Sequence, residues 1–81
     1  MTKKHLQALE SIKKNKWQTA HELMQHEHDE LAFMIHGYLH RQEGDLRNAN
    51  YWYNRAGEVQ PNNTIEQELE RLYQLAMSSH H

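Results

Sequence analysis

Apolar residues recur at every third or fourth position in five successive runs, and no stretch of useful length alternates with a period of two. Such spacing keeps one face of a helix apolar and leaves a strand nothing to bury. Strong helix formers fill the runs, glycine occurs three times, and the one proline, Pro61, falls in an evident break. The chain therefore reads as an all-α fold of five helices.

The first helix is expected from about Thr2 to Lys14, with Leu6, Ala8, Leu9 and Ile12 as its apolar stripe. Asn15, which tolerates the left-handed conformation, ends it. The second runs from about Lys16 to His26 and turns Trp17, Ala20, Leu23 and Met24 to one side. The third spans about Asp29 to Gln42, with Asp29 as N-cap and Gly44 just past its end. Asp45 caps the fourth, Leu46 to about Val59, whose stripe is Ala49, Trp52, Tyr53 and Ala56. Thr64 and Gln67 form a capping box for the fifth, Ile65 to about Met77, with Ile65, Leu69, Leu72, Leu75 and Ala76 facing inward. Connections of two to four residues make consecutive helices antiparallel neighbours. Residues 1–78 form one domain, and 79–81 read as a disordered tail.

Size and composition narrow the function. A chain of 81 residues buries about 60% of its unfolded surface, which leaves little room for an internal substrate cavity. A site belongs in a groove or between subunits. Cysteine is absent, so disulfides and thiolate metal sites are excluded. No apolar run approaches a membrane span, and the opening MTKKHLQALESIKK lacks the apolar stretch of a secretory signal, so a cytoplasmic location is expected. The net charge of −2 argues against nucleic acid as a partner, although the distribution is uneven. Residues 1–16 carry Lys3, Lys4, Lys13, Lys14 and Lys16 against Glu10, whereas residues 17–30 carry only acids. Opposite charge on adjacent helices pairs within the chain or steers two copies together.

Residues 30–63 resemble a tetratricopeptide repeat: Phe33, Gly37, Gly44, Ala49, Tyr53, Ala56 and Pro61 carry its large, small, turn, small, aromatic, small and proline positions at the expected spacing. His40 departs from it, standing where an aromatic is usual. Glycine inside a helix costs about 0.5–1 kcal/mol relative to alanine, a cost that makes sense if Gly37 and Ala49 let two backbones approach. A weaker copy lies 29 residues upstream, pairing Ala8 with Gly37, Asn15 with Gly44, Trp17 with Leu46 and Ala20 with Ala49. The resemblance implies an antiparallel stack of two hairpins with the fifth helix covering its end. The central wording, Trp17, Ala20 and His21, then LHR-x-EGD from Leu39 to Asp45, then Asn48 through Ala56, also resembles a family of small bacterial proteins. That likeness implies a helical fold and assigns no activity.

In a tetratricopeptide stack the first helix of each hairpin lines a concave groove. By that resemblance Leu31, Met34, Tyr38, Arg41 and Gln42 form the groove wall, and protein or peptide capture on helices 1 and 3 is the expected function. Tyr51 with Arg55, on another face of the fourth helix, has the composition of a contact surface. A homodimer would enlarge either surface.

A second reading is chemical. His36 and His40 stand at i and i+4, Glu43 continues the face, and His21 on the second helix is placed near them by the hairpin packing. These four residues suit zinc or a similar divalent ion, structural or weakly hydrolytic, although Gly37 stands where a zinc-hydrolase helix carries glutamate. Otherwise no cofactor is expected. Ser11, Ser78 and Ser79 have no positioned His-Asp pair, no glycine-rich phosphate loop is present, and the acids fall on surface faces and turns.

Overall fold

A computed structural model describes residues 2–78, Thr2 by its backbone alone. The expectation for residues 79–81 lies outside the described residues. Five helices form the fold: α1 Thr2–Lys13, α2 Trp17–Gln25, α3 Glu30–Gln42, α4 Leu46–Arg55 and α5 Ile65–Ser78. α1 packs on α2, α3 on α4, and α2 on α3, so the first four helices are two hairpins laid side by side.

Local chemistry sets most of the boundaries. Asn15 takes a φ of 59° and turns the chain out of α1. The Asp29 carboxylate accepts the Ala32 N–H at 2.8 Å and opens α3. Asp45 does the same for α4 through Asn48 N–H at 3.3 Å. At α5 the capping box is complete: Thr64 Oγ1 accepts the Gln67 N–H, and Gln67 Oε1 accepts the Thr64 N–H, both at 3.0 Å.

The fourth helix stops four residues before the expected Val59. Gly57 adopts a φ of +81°, a conformation open to glycine and costly for other residues. Its N–H bonds to Asn54 O at 2.9 Å, and the Glu58 N–H reaches back to Tyr53 O at 3.0 Å, which closes the helix end. The link from α4 to α5 is consequently nine residues, 56–64, rather than two to four.

The seam between α3 and α4 is as tight as Gly37 suggests. A Cβ on Gly37 would lie 2.8 and 2.9 Å from two ring carbons of Tyr53 and 3.1 Å from Ala49 O. Ala49 and Tyr53 are fully buried. The upstream copy is less faithful: Leu46, the counterpart of Trp17, is 57% exposed.

α5 covers the hairpins from one side. It lies against α1 and α3, on the wall where a concave groove was expected. Leu72 and Ala76 are buried there, as expected, but the third buried residue is Glu68, not a leucine. Its carboxylate accepts Tyr53 Oη at 2.7 Å, Asn63 Nδ2 at 2.9 Å and Arg71 Nε at 2.8 Å. Burial opposes the charge on Glu68, but the bonds from Arg71, Asn63 and Tyr53 outweigh it and hold the carboxyl below the usual glutamate range. Not all acids lie on the surface, then. This one joins α4, α5 and the loop between them.

Candidate functional site

Two features of the fold hold chemistry: a histidine cluster between α2, α3 and α4, and a groove between α1 and α2. The cluster follows from helical spacing. One turn of α3 puts His36 above His40, and the α2·α3 packing brings His21 across to them. One nitrogen from each ring lies within 4.8 Å of the other two. His36 and His40 are buried, and His21 is half-buried.

Aromatic rings hold the cluster from both sides. Trp17 stacks on His21 with ring centres 4.9 Å apart, and its Nε1–H donates to Leu39 O at 2.8 Å, which fixes it to α3. Trp52 stacks on His36 at 3.9 Å with the planes 12° apart. His21 meets His36 edge-on at 4.5 Å. His40 Nδ1 lies 2.5 Å from Glu43 Oε1, one helical turn on. The nitrogens of His21 and His36 hydrogen-bond to no described residue. Burial, with His21, His40 and Arg55 adding to it, pushes the His36 imidazole down to about 4. His21 is also lowered, first by burial and then by His40. Both rings are therefore neutral near pH 7, with lone pairs available.

The expected ligand set is thus brought together in part. His21, His36 and His40 converge as three nitrogen donors. Glu43 reaches the cluster through His40, whose Nδ1 it holds, and is not among the three converging donors.

The expected groove wall is not an open surface. Tyr38 is 1% and Met34 6% exposed, because α5 lies over them. Arg71 Nη2 lies 3.8 Å from Met34 Sδ. Arg41 is spent on the loop, donating to Asn63 Oδ1 at 2.8 Å and Asn63 O at 2.6 Å. Leu31 is half-buried, and only Gln42 of the five is exposed. The physical reason is that Leu72 and Ala76 of α5 need an apolar surface, and this wall is the one within reach of residues 56–64. Tyr51 and Arg55 are exposed and adjacent, as expected. The Arg55 guanidinium lies 4.5 Å from the Phe33 ring, 5.1 Å from Trp52 and 5.9 Å from Tyr51, so it caps the outer edge of the aromatic cluster.

An open concavity lies elsewhere. Between α1 and α2 a groove of about 580 Å³ is floored by the half-buried Leu6 and Leu23 and edged by Lys3, Lys14 and Lys16. Its one acid, Glu10, accepts Tyr73 Oη at 3.0 Å from α5. Lys4 beside it pairs with Glu27 at 3.2 Å, whereas Lys3, Lys14 and Lys16 pair with no described acid. The lysine excess of residues 1–16 was the signal. What it lacked was the knowledge that Leu6 and Leu23 stay half open between the two helices.

Comparison of the chain with family models, with curated proteins and with solved structures gives no match. Among the described residues no helix is long and apolar enough to cross a membrane.

Proposed function

We propose that the protein is a peptide-binding module that takes an acidic, amphipathic segment in the α1–α2 groove. The observation that carries this reading is the groove itself: a leucine floor ringed by three lysines that have no acid partner among the described residues. An apolar concavity with a few convergent polar groups is the general form of a binding site. A helix laid in a groove supplies leucines to the floor and carboxylates to the rim. The repeat-like spacing of Phe33, Gly37, Ala49 and Tyr53 supports the same class, with the site moved from the α1–α3 wall to the neighbouring helix pair.

A fluorescent amphipathic helix with a leucine face and a glutamate face is the probe, read by anisotropy. Replacing Lys3, Lys14 and Lys16 together by glutamate weakens binding about tenfold or more, taking each exposed pair at roughly 0.5 kcal/mol. Added salt weakens the parent complex and, by screening the new like-charge repulsion, does not weaken that of the triple variant. A triple variant that keeps the helical circular dichroism of the parent and binds the probe equally well overturns the proposal.

A further inference from the structure

The histidine cluster lies outside that groove and is unexplained by it. The ring nitrogens of His21 and His36 make no hydrogen bond to a described residue; among the described residues the buried side-chain polar atom without a partner is Gln60 Oε1, so these nitrogens stay open to solvent and to a ligand. One from each ring and one of His40 already face a common point. The carboxylate of Glu43 lies against His40 Nδ1, the arrangement found behind metal-ligating histidines: a carboxylate that accepts the Nδ1–H leaves Nε2 as the ligating nitrogen.

We propose that His21, His36 and His40 bind one divalent transition ion, zinc by ligand type, with Glu43 orienting His40 from behind. Three imidazole nitrogens suit zinc, and tetrahedral coordination leaves a fourth position for water. Zinc–nitrogen bonds of about 2.0–2.1 Å require donor atoms roughly 3.3 Å apart. The present spacing closes by at most about 1.5 Å, within the reach of ring rotation about the side-chain torsions. Trp17 and Trp52 hold the rings of His21 and His36 near the bound orientation in advance, so little order is lost on binding. The site joins α2 to α3, and an ion there would tie the two hairpins together.

The test uses the full chain and zinc alone, followed by calorimetry near neutral pH, with cobalt(II) as a spectroscopic substitute. The parent takes one equivalent of zinc at this site, its melting temperature rises on loading, and cobalt gives the strong visible bands of a tetrahedral site. His21→Gln, at a half-buried position, loses at least tenfold in affinity and the cobalt bands. Glu43→Gln, which leaves all three ligands in place, loses ten- to a hundredfold. His26, His28, His80 and His81 are unchanged in both variants, so binding that resides on them survives the substitutions. Zinc affinity equal in the parent and in His21→Gln overturns the proposal, as does a parent that binds no zinc at micromolar concentration. Loss in His21→Gln with no effect of Glu43→Gln keeps the three ligands and overturns the orienting role.

Discussion

Gly37→Ala puts one methyl group into the tightest place in the molecule. In isolation the change favours the helix by about 0.5–1 kcal/mol, since glycine is the poorer helix former. Against that, the new Cβ would stand 2.8 and 2.9 Å from Tyr53 ring carbons and 3.1 Å from Ala49 O. Ordinary carbon contacts are about 3.5–4.0 Å, so something must move by roughly 0.6 Å or more. The Tyr53 ring is fully buried and its hydroxyl is bound to Glu68 at 2.7 Å. It cannot swing away without straining that bond. The Ala49 oxygen is backbone, and it moves only with α4. Overpacking of this kind costs about 1–3 kcal/mol. The net expectation is a loss of about 1–2 kcal/mol, or roughly 5–15 °C in Tm for a domain of this size. Gly37→Leu extends the clash into the seam and costs more. Urea and thermal unfolding give the numbers. A double-mutant cycle with Tyr53→Leu identifies the clashing partner, because Gly37→Ala becomes near neutral once the ring is gone, with a coupling of about 1 kcal/mol or more. If Gly37→Ala melts at or above the parent, propensity outweighs contact and the close approach of α3 and α4 is refuted.

Two further outcomes follow from buried polar groups. Tyr53→Phe removes one of the donors to Glu68 while keeping the ring, and should cost about 1–3 kcal/mol in urea unfolding with little change in helicity; an unchanged midpoint would show that Asn63 and Arg71 suffice. The metal-free protein should lose stability as pH falls from about 6.5 toward 4, because the unfolded His36 takes up a proton in that window and the folded one, packed against Trp52 and facing His21, His40 and Arg55, does not. At about 1.4 kcal/mol per pH unit the loss attributable to His36 approaches 3 kcal/mol. His36→Gln should flatten that part of the stability–pH curve, and a variant as pH-sensitive as the parent would remove His36 as the cause.

The parts of the fold that were legible in the residues are those decided within a turn or two of chain. Asn15, Asp29, Asp45 and the Thr64–Gln67 pair act on their own neighbours, so type and spacing sufficed. Gly37 was legible because a glycine inside a helix carries a local cost that only a close contact explains. Gly57 was passed over because Glu58 and Val59 continue the helical pattern past it, although its φ ends α4. Glu68 could not be read as buried. Its three donors come from α4, the 56–64 segment and α5, and only the folded chain brings them together. The same limit applied to the wall of Leu31, Met34 and Tyr38. Which surface the last helix covers depends on competition among apolar faces. In the histidine cluster the i, i+4 pair was plain, the approach of His21 came from hairpin geometry, and the job of Glu43 needed coordinates.

The docking of α5 on α1 and α3 also has a consequence for rivals. A helix delivered by a nine-residue tether is present at a local concentration in the millimolar range. A free helix with the same leucine face, at micromolar levels in solution, is outnumbered by about a thousandfold. The wall of α1 and α3 is thus held by the protein's own segment, and a rival helix is kept off it.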